Sequence, residues 1–169
     1  DLTVKEAEKQ LIIRALKESF VSLTWRLSAS SIKKAKESGS IEEMVKFVFK
    51  GFSGAIAPLQ VKSEITRLVS EVKGLKPQTV LEIGTCSGGT LFLYSGVASK
   101  DAELISIDLP GGKFGGGYAS WREPLYRSFA TWDQKVSLIR DDSHRAETLE
   151  KGKGILAGRK VDFLFIDGD

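Results

Sequence analysis

The chain predicts an α/β fold: a parallel sheet with helices on both faces, preceded by N-terminal helices. Three observations predict it. From residue 79 onward, short apolar runs alternate with helical stretches, the order that builds strand–helix–strand units. Those runs are mostly apolar throughout, as fits strands covered on both sides. Finally, residues 80–90 read Val-Leu-Glu-Ile-Gly-Thr-Cys-Ser-Gly-Gly-Thr, a strand, a tight glycine turn and a helix start. At 169 residues, 41% of them hydrophobic, the chain is long enough for one domain with a proper core.

The elements follow in order. Residues 4–27 carry Leu16, Phe20, Leu23 and Leu27 at helical spacing, with Lys9, Arg14, Lys17 and Glu18 mostly on other faces, and are read as a helix. Ser28 to Ser31 is a polar break, and a second helix spans 32–38, ending at Gly39. Ser40-Ile-Glu-Glu43 is a capping-box pattern that starts a helix over 41–50, with Met44, Phe47 and Val48 inward. Gly51-Phe-Ser-Gly54 breaks it, and Pro58 suits the first turn of a helix over 58–74. Ile65, Leu68, Val69, Val72 and Leu75 form that helix's apolar stripe. Strands are expected at 79–83, 104–108, 136–140 and 161–166, and helices at 89–99, 119–131 and 144–157. Gly152 and Gly154 weaken the last helix. Five glycines in residues 111–117 make a loop there, read as a lid beside the site. The chain divides into a helical cap, 1–57, and a sheet domain, 58–169.

Composition excludes several classes. The net charge is only +3, without the dense basic stripe of a nucleic-acid binder. No apolar run reaches the ~18 residues of a membrane span, and no signal peptide is visible. Cys86 is the single cysteine, so no internal disulfide forms, which fits a cytoplasmic location. The chain opens on Asp1 rather than Met and stops on Asp169 directly after an apolar run. A longer protein is therefore expected.

The chemistry gathers at strand ends. Gly84, Gly88 and Gly89 let a ligand approach the backbone, and Thr85, Ser87 and Thr90 add hydroxyls. A phosphate-binding P-loop would place a Lys after the last glycine, where Thr90 and Leu91 stand, so NTP hydrolysis is rejected. Asp108 ends the second strand, where a carboxylate can accept both hydroxyls of a ribose. Asp142 and Ser143 follow the third strand and can bond an adenine ring, though Ser143 could equally cap the next helix. Asp167 and Asp169 follow the fourth. Ligands of open α/β sheets bind outside the carboxyl ends of the strands. Glu82, Asp108, Asp142 and Asp167 thus converge on one mouth, which suits a ligand with a positive centre or a divalent metal. The competing reading is a row of solvated acids. His144 is a conceivable base, but a solvent-facing histidine is preferred. Gln60 is read as a plain surface residue, Cys86 as a small residue in a tight turn, and Trp121, Tyr126 and Trp132 as core rather than acceptor pocket.

Together, Glu82-Ile-Gly-Thr-x-x-Gly-Gly-Thr90, Asp108, Asp142-Ser143 and Ile166-Asp-Gly-Asp169 resemble the class I S-adenosylmethionine-dependent methyltransferases. The subgroup most resembled is the O-methyltransferase-like one that includes macrocin O-methyltransferase and cephalosporin hydroxylase-type proteins. The resemblance covers roughly residues 59–169. It implies a Rossmann-like sheet with further strands beyond residue 169, and methyl transfer to a small-molecule hydroxyl acceptor. It implies Gly84, Thr85, Gly88, Gly89 and Thr90 near the methionine part of the cofactor, Asp108 on the ribose and Ser143 near adenine. Asp167 would sit beside the cofactor's amine or on a Mg2+ ion. The other metal carboxylates of metal-dependent relatives lie after a fifth strand that this chain lacks. Two rivals stand beside this reading. An NAD-dependent oxidoreductase needs Gly-x-Gly-x-x-Gly, and Cys86 occupies its second glycine position. A non-catalytic module could use the N-terminal helices for assembly. An unpaired sheet edge beside the fourth strand would be a sticky surface, so self-association into a homo-oligomer is expected as an artefact of truncation.

Overall fold

The computed structural model describes residues 2–111 and 116–168. Helix α1 spans Leu2–Thr24, α2 Ala29–Glu37, α3 Ile41–Lys50 and α4 Lys62–Leu75. Strand β1 (Thr79–Ile83), helix α5 (Gly89–Val97) and strand β2 (Glu103–Asp108) follow. Then come α6 (Glu123–Arg127), β3 (Lys135–Arg140), α7 (Ala146–Leu156) and β4 (Phe163–Ile166). The four strands form one sheet in the order β3-β2-β1-β4, with every neighbouring pair parallel. This is the Rossmann-like arrangement the sequence predicts. Among the described residues, no helix is long and apolar enough to cross a membrane.

The two faces of the sheet are covered unequally. Val80, Leu104 and Val136 point into the main core, with the helices α3, α4 and α5 and the aromatic residues around α6. Leu81, Ile83, Ile105, Ile107 and Ile139 point the other way, where Ile155 and Leu156 at the end of α7 meet them. On that thin face Leu164 and Ile166 of β4 remain exposed. Helix α5 is buried along nearly its whole length. It passes so close to α3 that a Cβ on Gly96 would sit 2.2 Å from the Met44 Sδ. The cap helices and the sheet therefore share one core.

Several boundaries differ from the sequence expectation. The polar stretch after α1 does not break the helical path: a 3-10 turn covers Trp25–Ser28 and α2 resumes at Ala29. The stripe of Leu16, Phe20, Leu23 and Leu27 is exposed, while Val21 and Trp25 are buried. Periodicity reports an apolar face, not what covers it. Pro58 does not open a helix. It is buried against Gly89, and α4 starts only at Lys62. The capping box is half formed: Ser40 Oγ accepts from the Glu43 amide, but the Ser40 amide goes to Ser38 Oγ. The helix expected over 119–131 shrinks to a 3-10 turn, Ser120–Arg122, and the short α6. Helix α7 runs through both Gly152 and Gly154. Residues 112–115, the centre of the expected lid, lie outside the described residues.

Lys36 near the end of α2 is the main polar anomaly of the core. It is almost fully buried. Its ammonium donates to the Phe129 carbonyl and, at 3.4 Å, to Gln134 Oε1. Burial pushes its pKa down to about 7. Between that value and the ordinary lysine value, the unfolded chain holds the extra proton. Raising the pH through this window therefore favours the folded state, by at most ~1.4 kcal/mol per unit. Urea unfolding from pH 7 to 9.5 should show wild-type stability gaining relative to Lys36→Met as pH rises. Parallel pH profiles for the two proteins would refute this.

Candidate functional site

The carboxyl ends of the strands open onto a cleft of about 700 Å3. Its wall is built from the Pro58–Gln60 segment, the loop after β1, the end of β2, Gly116 and Gly117, Asp142 to His144, and Asp167 and Gly168. Parallel registry places the strand ends together, with Ile83 opposite both Ile107 and Ile166, and Asp108 opposite Arg140.

The loop after β1 is tightly specified. Gly84, Cys86 and Gly88 all adopt positive φ, at +94°, +45° and +86°. A side chain on Gly84 would strike the Asp167 carbonyl at 2.5 Å, so only glycine fits. The Gly84 amide bonds to the Ile107 carbonyl, and the Gly88 amide to the Thr85 carbonyl. The Cys86 amide donates to Asp108 Oδ2 at 2.6 Å, and Ser87 Oγ donates to the Ala57 carbonyl. From behind, the Tyr126 hydroxyl donates to the Cys86 carbonyl at 2.6 Å, and Arg122 donates to the Ser87 carbonyl at 3.1 Å.

The expected site residues separate into three groups. Gly84, Thr85, Thr90, Asp108, Asp142, Ser143 and Asp167 line the cleft. Glu82 lies beneath it, fully buried. Gly88 and Gly89 do not line it. Their missing side chains instead make room for the Tyr126 ring and for the Ile56 carbonyl with Pro58. These two glycines serve packing and let the helix start close to its neighbours. Ser143 does not cap α7, whose N-cap position is Arg145.

The floor of the cleft is acidic and incompletely paired. No oxygen of Glu82 reaches full hydrogen-bond geometry, although the Thr90 and Thr85 hydroxyls lie near enough to favour its charged form, and Gln60 Oε1 and the Tyr94 hydroxyl are likewise unpartnered. Burial first, and then the charges of Asp108 and Asp167, raise the Glu82 pKa to about 8, against the pull of the Thr90 and Thr85 hydroxyls. Burial, Glu82 and Asp167 push the Tyr94 hydroxyl up as well. The Thr85 and Ser106 hydroxyls bond each other alongside. Gln60, read from sequence as a surface residue, lines the cleft, and its amide nitrogen donates to Asp167 Oδ2. At the third strand end, Asp142 Oδ1 accepts from the His144 amide and faces His144 Nδ1 at 3.1 Å. These bonds hold its pKa below the usual range. Among the described residues lining the cleft, none is Lys or Arg.

The metal expectation finds no fit. Among the described residues, no group of three or more His, Cys, Asp or Glu could hold a metal ion. Asp167 is engaged by Gln60, whereas Mg2+ demands a near-octahedral set of oxygens.

Arg122 and Tyr126 carried no signal as loop supports. Arg122 is buried and binds the Glu18 carboxylate, the Ala55 carbonyl at 3.1 Å, the Ser87 carbonyl and the Tyr126 hydroxyl. Trp121 and Trp132 stay outside the cleft wall, and Trp132 is half exposed beneath Lys100.

Two outcomes test this geometry. Between about pH 4.5 and 8 the folded state holds a proton on Glu82 that the unfolded chain has lost. Rising pH should therefore destabilise the wild type across this window, by at most ~1.4 kcal/mol per unit. Glu82→Gln should remove that slope in urea unfolding, and an unchanged slope would contradict it. Arg122→Ala should cost roughly 3 kcal/mol or more, because it strands Glu18 and frees two carbonyls. A loss below about 1 kcal/mol in thermal or urea unfolding would refute the role given to Arg122. Comparison of the chain with protein-family models and with curated proteins finds no match in either case.

Proposed function

We propose that the chain is the cofactor-binding part of an S-adenosylmethionine-dependent methyltransferase that acts on a hydroxyl of a small molecule. The observation that carries this reading is the unpaired acidic floor. The Glu82 carboxyl, kept protonated by burial up to about pH 8, has no hydrogen-bond partner, and Gln60 Oε1 is unpartnered as well. Asp167 adds its charge close by. Such a floor calls for a cationic group with several donors, which an amino-acid ammonium supplies. A dinucleotide would instead bring a pyrophosphate to the glycine loop, toward Glu82, Asp108 and Asp167. With no Lys or Arg among the described lining residues, that ligand would have only loop amides and the α5 N-terminus to set against the charges of Asp108 and Asp167.

Bound in this cleft, S-adenosylmethionine would supply a methyl group activated on a sulfonium. The residues of the chain would orient it. Gln60 and Asp167 would take the amino group, with Glu82 beneath them, and Asp108 the ribose hydroxyls. Both Asp108 oxygens already accept backbone amides, from Cys86 and Leu109, so the carboxylate is fixed before a ligand arrives. Asp142 and Ser143 would frame the adenine. Fixing the donor for in-line attack by an acceptor oxygen supplies most of what such catalysis needs. His144 lies on the adenine side, beside Asp142, and is not assigned as the base. The single Cys86 fits a cytoplasmic setting.

Calorimetric titration tests the reading. S-adenosylhomocysteine should bind with one site per chain, and NAD should give no binding heat. Asp108→Asn should weaken S-adenosylhomocysteine by roughly tenfold or more. NAD binding without S-adenosylhomocysteine binding, or neither ligand binding to a demonstrably folded protein, would overturn it.

A further inference from the structure

Arg140, the last residue of β3, ties together the two feet of the glycine-rich connection that follows β2. Its Nη2 donates to the Pro110 carbonyl and to the Tyr118 carbonyl, both at 3.0 Å. The Tyr118 amide closes the same neck directly, donating to the Leu109 carbonyl at 3.3 Å. The feet are in close contact. Gly117 has a φ of +76°, and a Cβ there would collide with the Leu109 carbonyl oxygen and lie 2.7 Å from the Gly111 nitrogen. Arg140 is itself held in place. Its Nη1 donates to Glu123 at 3.3 Å, and its guanidinium carbon lies 5.4 Å from the centre of the Tyr118 ring.

We propose that Arg140 is a positioning residue for the nucleoside end of the ligand, an assignment that rests on the S-adenosyl reading of the cleft. Leu109, Gly116 and Gly117, on or beside the neck, line the cleft. They share its wall with Asp108 at the end of β2, and with Asp142 and Ser143 just past Arg140. Asp108 and Arg140 are register partners on neighbouring strands. The clasp therefore spans the two strand ends that would hold the ribose and the adenine. Three features make this the task of one side chain. Five of residues 111–117 are glycine, and glycine loses the most entropy when ordered, so this stretch has little preference of its own. Among the described residues, one backbone bond crosses the neck, and the planar guanidinium adds two bonds from a single rigid group. Finally, Arg140 does not line the cleft, and its charge is answered by Glu123. Its effect on a ligand passes through the wall it shapes.

The cleft is thereby divided in two. Gln60 and Asp167, bonded to each other, serve the amino-acid end, and Arg140 serves the nucleoside end. Loosening the clasp should cost a ligand that has only the nucleoside as much as one that has both ends.

Calorimetric titration of the whole chain with two probes provides the test. One is S-adenosylhomocysteine; the other is methylthioadenosine, which has the same nucleoside and sulfur without the amino-acid end. Arg140→Gln should weaken both probes by a similar factor, roughly tenfold. Gln60→Ala should weaken S-adenosylhomocysteine by the same order and leave methylthioadenosine within about twofold. Circular dichroism and thermal unfolding establish that each variant is folded. Because Arg140→Gln could fail to fold, Arg140→Lys is the second variant. It keeps a charge beside Glu123 but loses the fork that spans two carbonyls, so it should show the same pattern to a lesser degree. Folded Arg140 variants that bind both probes like the wild type would overturn the proposal while leaving the reading of the cleft intact. So would a loss confined to S-adenosylhomocysteine, or unfolding of both variants, since Arg140 would then serve the fold alone. A wild type that binds neither probe would overturn the reading of the cleft and the role of Arg140 with it.

Discussion

Arg122 reaches four separate segments from a position almost closed to solvent. Its guanidinium holds the Glu18 carboxylate of α1, the Ala55 carbonyl ahead of α4, the Ser87 carbonyl of the glycine loop and the Tyr126 hydroxyl of α6. A buried cation is costly unless it is paired and its donors are used, and here each partner comes from a different part of the chain. Satisfying one charge therefore fixes the relative positions of the cap, the connection and the loop. Tyr126 extends the same support, bonding the Cys86 carbonyl while its ring fills the space Gly88 leaves open. The positive φ of Cys86 persists because its carbonyl is held from behind and its amide is held by Asp108 in front.

On the cleft side of that loop the electrostatics reverse. Acids stand at the ends of three strands or just past them, and Glu82 lies below with a pKa near 8. The site is built on rigid strand ends rather than on side chains that must move. Its lining carries Asp108, Asp142 and Asp167 and, among the described residues, no Lys or Arg. The same protein thus carries a fully paired cation behind its loop and one unpartnered buried acid, Glu82, beneath the cleft in front of it.

Much of this was legible in the sequence, for an identifiable reason. Strand ends can be read from apolar runs, and parallel connectivity puts those ends on one edge. The grouping of Asp108, Asp142 and Asp167 thus needed no knowledge of any contact. Glu82 was placed one residue from the strand end by the same logic. Arg122 was not legible, because its partners lie as far away as residue 18 and no local pattern marks them. Gln60 was missed for the same reason, being 107 residues from Asp167. Pro58 misled because proline fits a helix start and a buried connection alike. The stripe on α1 marked the helix correctly but not its surroundings, because hydrophobic spacing identifies a face without naming its neighbour. Gly88 and Gly89 were recognised as constrained, but the constraint is packing rather than ligand contact.

The strand order also dictates when the site can be completed. Strand β1 lies between β2 and β4, and Val80 pairs with Phe163 more than eighty positions along the chain. During synthesis from the N-terminus, β1, β2 and β3 leave the ribosome together, while one edge of β1 stays open until residues 163–166 emerge. Gly84 reaches its final packing only against Asp167 and Gly168. The glycine loop, central in space, thus becomes final only after Asp167 and Gly168 have emerged. Until then β1 presents an unpaired edge of the kind that recruits other nascent strands.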